Sequence, residues 1–416
     1  MKISDVRTVL LTGPSTNDPF FRESRKLRSV AIIEIETSDG VVGLGETYAG
    51  YFCPEIVPSV VDFYRPILIG QTVDDVPLLW TRMNTCGTFW GRVGLGSIVM
   101  CGIEAALWDL KGKLEEKPVY ELLGGVTHES LPCYATGGPS NWPIEKLLKK
   151  VAHYRDCGFR AVKIGAGYFD SESRRHLGHT DAQQAAEFEA GKLRTIRESF
   201  GDSMDIALDA HMNDKTPEDM WSRETAAAVA KACEPYGLLF LEEALPYRSA
   251  KDYAWLRMQT AVPVAGGECL TSMIEWLTYL DAGSFGLGQP DASFTSGLHQ
   301  VMMIAQALDK QGCEIAPHAW GAGGSLMQNV HVGFACRNTR ILELPPDPGP
   351  LHTELYRDTL RLEGGRVLPP TATGLGITLD ADTKARYPYI AGSGEIVSVP
   401  GKIQNDEALL HAVHSR

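Results

Sequence analysis

From residue 131 onward, short apolar runs alternate with segments whose apolar positions recur every three or four residues. Eight runs stand out: LPCYAT, RAVKIG, DIALDAH, LLFLEEA, VPVAGGE, FGLGQPD, CEIAPHAW and RILEL. Continuous apolar runs of this length read as strands buried on both faces, as in a parallel sheet. Between them the 3.6-residue period predicts helices, most plainly over residues 144–156, 181–200, 218–232 and 297–310. Strand and helix recur every roughly 25 to 40 residues, the spacing of βα units. Eight such strands close a βα barrel.

The first 125 residues follow a different pattern. Residues 3–11 and 30–37 alternate like strands, and SDG at residues 38–40 followed by VVGLGE reads as a hairpin into a third strand. The loop before the second strand carries Phe20 and Phe21, and a second loop after Glu46 carries Tyr48 and Tyr51. From residue 54 to about 123 the period becomes helical, as in IEAALWDLKGKL, and Gly124 and Gly125 supply a helix stop. The expected division is an α+β unit over residues 1–125, a barrel over 126–370, and a C-terminal segment over 371–416 that returns to the first unit. Within that last segment, EIVSV reads as a short strand, followed by a short helical stretch. The charged connection FDSESRRHLGHTDAQ after the second barrel strand lacks periodicity and is expected to be a lid, an interface arm or a solvated insertion.

Composition narrows the function. A net charge of −13 with no long basic run argues against a nucleic-acid surface. No apolar run reaches the roughly 18 residues of a membrane span, and the N-terminus enters strand-like sequence without a signal-peptide pattern. Nine cysteines without CxxC pairing fit reduced thiols in the cytoplasm, with Cys53, Cys101, Cys157 and Cys313 as core fillers. His153, His299 and His411 read as packed or surface residues.

Three acids, Asp209, Glu242 and Glu268, stand at the ends of three successive strand-like runs. In a closed barrel all those ends share one face, where active sites are built. Converging carboxylates repel one another unless a cation neutralises them, and an all-oxygen set suits Mg²⁺.

Taken jointly, VGLGE, GIEAALWDLKGK, ELLGG, LDAH, LEEALP, GGE, QPDAS, APHAW and LEL occur in the order and spacing of a known family. Over nearly its whole length the chain resembles the mandelate racemase subgroup of the enolase superfamily. The resemblance implies an α/β fold: a modified (β/α)₇β TIM-type barrel under an α+β capping domain. Loops bearing Phe20, Phe21, Tyr48 and Tyr51, with Trp320 from APHAW, would then shape the substrate pocket. It also implies that Asp209, Glu242 and Glu268, rather than Glu243, hold one Mg²⁺ per subunit. His318 and Asp291 match the family's base dyad, in which Asp fixes the imidazole tautomer. Lys163 matches the first Lys of a KxK pair and would hold the substrate carboxylate; the second position is Gly165, so the base on the other face is missing. Glu343 matches an acid that hydrogen-bonds that carboxylate, with burial expected to raise its pKa. His211 stands two residues after Asp209, on the same side by strand alternation, and would be the acid for a departing hydroxyl. Tyr168 reads as packing against its own turn.

A one-sided base set disfavours racemisation and suffices for elimination. The expected activity is Mg²⁺-dependent dehydration of a sugar acid to a 2-keto-3-deoxy acid, in a homo-oligomer with a small-molecule substrate. The alternatives are a cycloisomerase or epimerase of a sugar lactone or anhydro-sugar acid, or a silent sugar-acid-binding barrel. The complete ligand set and dyad speak against the last.

Overall fold

The computed structural model describes residues 1–21, 26–137, 142–170, 175–213, 215 and 217–392. The strand and helix expected beyond residue 392 lie outside the described residues.

Strands Ile3–Pro14, Leu27–Thr37 and Val42–Thr47 form an antiparallel sheet in sequence order. The first two extend further than the polar sequence around them suggests, because their register continues to Pro14 opposite Leu27. Helix Leu95–Glu115 lies across this sheet and is buried along most of its length. Gly45 in VGLGE has a physical reason: a Cβ there would sit 2.2 Å from the Gly102 carbonyl of that helix. Helices Val57–Leu68 and Val76–Cys86 complete the unit.

All eight expected barrel strands form: Leu131–Ala135, Ala161–Gly165, Asp205–Asp209, Leu238–Glu242, Val264–Gly266, Leu287–Gly288, Glu314–Ile315 and Leu342–Leu344. The first seven pair in parallel, each with the next, and the eighth pairs with the first. A parallel bridge from Ile315 to Thr339, just ahead of the eighth strand, closes the ring. Among the described residues, seven helices connect the strands: Ile144–Asp156, Ala182–Phe200, Arg223–Cys233, Ala250–Arg257, Met273–Ala282, Leu298–Lys310 and Gly323–Ala335. Eight strands and seven helices make the (β/α)₇β arrangement. Asp181, Ser222, Ser249 and Ser272 accept first-turn N–H bonds and set four of the helix starts. Ser222 is why the third helix begins at Arg223 rather than at residue 218.

The barrel interior is filled by Tyr134, Ala161, Ala207, Phe240, Ala265, Leu287, Ala316 and Ile341, one from each strand or its immediate flank. This layer is the floor on which the site stands. On the outside, helix Gly323–Ala335 is buried on every face, as expected of a helix enclosed on all sides. Glu46 of the N-terminal unit donates a hydrogen bond there, from its backbone N–H to Gln328 Oε1 at 2.9 Å.

Two connections differ from the sequence expectation. The long segment after the second strand contains a hairpin pairing Tyr168–Asp170 with Arg175–Leu177, so its polar composition hides regular structure. Tyr168 stacks on Phe188 of the following helix, 5.9 Å between centroids, rather than packing on its own turn. Past the eighth strand the chain first touches the N-terminal unit, Pro348 bridging Thr16 and Gly349 N–H donating to Ser15 O (2.9 Å), and then returns to the barrel: Leu362–Glu363 and Arg366–Val367 form a hairpin whose second strand pairs with the first barrel strand. From Gly374 it joins the N-terminal unit again, where Val119 N–H donates to Gly374 O (2.9 Å) and Leu375 N–H to Asp109 Oδ1 (2.7 Å).

Candidate active site

Side chains two residues apart on a strand face the same way. Counting two residues on from the interior layer gives Thr136, Lys163, Asp209, Glu242, Gly267, Gln289, His318 and Glu343. The ring at the C-terminal mouth thus contains five of the residues singled out from the sequence, on five different strands. Lys163 Nζ lies 2.9 Å from Glu242 Oε1, 3.2 Å from Asp209 Oδ2 and 3.3 Å from Glu343 Oε1. Burial opposes the ammonium charge, but Glu242, Glu343 and Asp209 outweigh it and hold the Lys163 pKa well above the ordinary value.

His318 Nδ1 is 2.8 Å from Asp291 Oδ2, and its Nε2 is 3.6 Å from Glu268 Oε2. Burial would lower the imidazole, yet Glu268, Glu343 and Asp291 push it up to about 10. Asp291 is itself held on Oδ1 by Ser293 N–H (2.7 Å), Ser293 Oγ (2.7 Å) and Asn329 Nδ2 (2.8 Å). An Asp with both oxygens occupied fixes the ring it faces. Glu343 Oε2 accepts from Ala319 N–H at 2.8 Å. The expectation that burial would raise this acid is reversed, since burial pushes it up but Lys163 and His318 bring it below the ordinary value.

His211 reaches Asp209, Nε2 to Oδ2 at 3.0 Å, but not by strand alternation. The strand ends at Asp209, and His211 adopts φ +49°. The left-handed turn folds it back over the strand end. Glu243 does the same with φ +45°, so both members of the EE pair are buried rather than one facing away. Donor atoms of Asp209, His211 and Glu243 consequently lie within 4.8 Å of one another. Glu243, set aside in the sequence reading, therefore lines the same acidic centre, where burial raises it to about 7. For Asp209, burial pushes upward, but His211 and Lys163 hold it at about 2.

The centre fits a hard divalent cation. Glu242 Oε2, Glu243 Oε1 and Glu268 Oε2 are buried with no hydrogen-bond donor among the described residues, and lone pairs left so are costly unless a positive group faces them. Burial and neighbouring acids raise the pKa of Glu242 and Glu268. An added cation would reverse both.

The aromatic residues expected to cover the site divide. Tyr48 packs on the His318 ring at 5.9 Å. Tyr51 Oη accepts from Trp320 Nε1 at 3.0 Å, and Phe21 stacks on Trp320 at 5.8 Å. Phe20 turns away, packing on His153 of the first barrel helix at 5.8 Å. Two residues were missed. Arg28, buried, donates to the Trp320 and Gly321 carbonyls, both at 2.6 Å, and lies over the Tyr51 and Trp320 rings. Gln289 stands in the mouth ring, buried, with neither amide atom partnered among the described residues. Its signal was available: it lies two residues beyond Leu287 in QPD. Gly165 is bare at the second strand end, its carbonyl accepting from Lys192 Nζ at 2.7 Å. Lys192 is in turn 2.5 Å from Glu189.

Comparison with known proteins agrees with the two-part fold. Residues 7–124 match the mandelate racemase/muconate lactonizing enzyme N-terminal domain and residues 146–383 the enolase C-terminal domain-like family. An arabinonate dehydratase from Saccharolobus solfataricus is 28% identical over 387 residues, 91% of this chain and 96% of its own. A D-galactonate dehydratase from Ralstonia nicotianae is 30% identical over 355 residues, covering 84% of this chain and 88% of its own. Among solved structures, the 3,6-anhydro-D-galactonate cycloisomerase from Zobellia galactanivorans superposes with a TM-score of 0.78 at 26% identity, over 93% of this chain and 99% of that one. No described helix is long and apolar enough to cross a membrane. With both domain models matched in order and the barrel mouth carrying the acids and the His–Asp pair, the chain belongs to the mandelate racemase/muconate lactonizing enzyme family of the enolase superfamily.

Proposed function

We propose that this protein is a Mg²⁺-dependent dehydratase of an aldonic acid, with residues 1–125 and the segment after 370 capping the barrel of residues 126–370. The observation that carries the reading is the one-sided base set. His318 is oriented by Asp291 on one side, while the second strand ends in Gly165, where no side chain can act. The names of the dehydratase relatives support the same class.

Asp209, Glu242 and Glu268 would hold the cation, which when bound neutralises the negative charge that builds on the substrate carboxylate. With its imidazole neutral once the negative charge around it is offset, His318 Nε2 takes the proton from the carbon next to that carboxylate, while Asp291 keeps the proton on Nδ1. Lys163 places its ammonium against the carboxylate oxygens as charge accumulates there. Glu343, on the eighth strand, holds the Lys163 ammonium in place at 3.3 Å. As the C–O bond at the β-carbon breaks, His211 delivers a proton and the hydroxyl leaves as water. The resulting enol tautomerises to a 2-keto-3-deoxy acid.

A second reading, cycloisomerisation of an anhydro-sugar acid, is favoured by the structural likeness to the cycloisomerase. It shares proton abstraction but expels a ring oxygen instead of water. Screening acid sugars with Mg²⁺ and weighing the product separates the two. Loss of one water, with a semicarbazide-reactive keto acid, is the expected result; a product of unchanged mass would overturn dehydration.

A further inference from the structure

The capping domain reaches the catalytic dyad through a buried hydrogen-bond chain. Glu46, at the end of the third cap strand, accepts Ala322 N–H on Oε1 (2.7 Å) and Ser325 N–H on Oε2 (3.0 Å). Ser325 Oγ lies 2.6 Å from Ser293 Oγ, and Ser293 Oγ lies 2.7 Å from Asp291 Oδ1. Asp291 Oδ2 then meets His318 Nδ1. Glu46, Ser325, Ser293 and Asp291 are all fully or nearly fully buried.

The direction of the chain follows from hydroxyl chemistry. A serine has one proton to give, and Ser293 gives its proton to the Asp291 carboxylate. Between the two serines the donor must therefore be Ser325. Both hydroxyls point their protons toward Asp291 Oδ1, which leaves Oδ2 to accept from His318 Nδ1 and fixes that tautomer. Glu46 holds the far end by the Ser325 backbone. The approach is possible because residue 324 is glycine: a Cβ there would sit 2.8 Å from Glu46 Cβ. Arg28, also from the cap, grips the Trp320 and Gly321 carbonyls between His318 and that helix. Tyr48 N–H further ties the cap to the Ser293 carbonyl at 3.1 Å.

We infer that Glu46, Ser325 and Ser293 are positioning residues for the His318–Asp291 pair, so that docking of the capping domain sets the orientation of the base. None of them touches the reacting atoms. The inference rests on the proposed role of His318 for its kinetic consequence, but not for its geometric one.

The test uses the full-length protein and the variants Ser325→Ala, Ser293→Ala and Glu46→Gln. Steady-state turnover of the sugar acid found by the screen is measured at saturating Mg²⁺. ¹⁵N-histidine-labelled protein is examined for the downfield imidazole N–H resonance that His318→Asn removes. The expected result is a kcat about ten-fold lower in each variant with KM changed less than two-fold, and a displaced His318 resonance. Ser325→Ala combined with Glu46→Gln should fall no further than the worse single variant, because both cut one chain. Wild-type kcat with an unmoved resonance overturns the inference, as does a double variant whose losses multiply. Should Glu46→Gln not fold, the two serine variants decide by the same criteria. Should no sugar acid be turned over by the wild type, the proposed function fails, and the resonance alone decides the chain: displaced in Ser325→Ala supports it, unmoved rejects it.

Discussion

Lys163 shows how one side chain can be structural and chemical at once. With its charge within 3.3 Å of three buried carboxylates, it offsets repulsion that would otherwise expel an acid from the barrel mouth. Lys163→Met should therefore destabilise the cation-free protein by about 3 kcal/mol, and Mg²⁺ should restore more of the melting temperature in the variant than in the wild type; equal protection would count against the charge argument. For His318→Asn, kcat should fall by about 10³-fold, with Mg²⁺ affinity by calorimetry unchanged. At this scale much was legible in advance, because an acid or histidine closing an apolar run two residues past the barrel floor can point only into the mouth. His211 meets Asp209 by a different route from the one strand alternation gives: the left-handed backbone that brings it there leaves no trace in strand periodicity. The Glu46–Ser325–Ser293 contacts were illegible, since residues 46, 293 and 325 meet only once the fold has formed.

Among the elements, helix Leu298–Lys310 has an unusual start. It has no side chain of its own as N-cap, and Glu104 of the cap helix serves instead. Glu104 accepts from Leu298 N–H (2.5 Å), His299 N–H (3.2 Å), His299 Nδ1 (2.7 Å) and Trp108 Nε1 (2.7 Å). Removing this buried acceptor strands several donors, so Glu104→Ala should cost about 2–4 kcal/mol in chemical denaturation. A loss below about 0.5 kcal/mol would show that water replaces the carboxylate. Barrel strands and helices were legible because burial on both faces leaves a periodic record. The hairpins at Tyr168–Asp170 and Leu362–Glu363 were not, being too short and too exposed to show a period.

For the whole molecule, His331 marks where barrel, cap and C-terminal segment meet. Its Nδ1 accepts from Tyr120 N–H at 3.1 Å, and its ring stacks on Tyr120 at 5.6 Å. Burial lowers its pKa from 6.5 to about 4, the Leu375 backbone opposing slightly. The unfolded chain therefore binds more protons between those values, and this contribution to stability is lost as pH falls from 6.5 toward 4. Glu46, raised by burial to about 7, acts in the opposite sense, its contribution being lost as pH rises. The informative quantity is thus a difference between proteins: in His331→Gln the stability lost between pH 7 and pH 5 should be smaller than in the wild type by about 2 kcal/mol, read from urea midpoints. The same slope in both would place the histidine's titration elsewhere.

The cap is built from both ends of the described chain. Gly374 bridges Pro118 in parallel, and Thr12 N–H donates to the Tyr387 carbonyl at 3.2 Å. A ribosome releases these partners far apart in time, at about 5–20 residues per second. Strand Ile3–Pro14 and the end of helix Leu95–Glu115 must wait, incompletely covered, until the last βα unit has emerged and Gly374 to Tyr387 can return. Translation order thus places completion of the cap after emergence of the barrel strands, so a nascent chain stalled before residue 374 would carry the barrel acids without a finished roof.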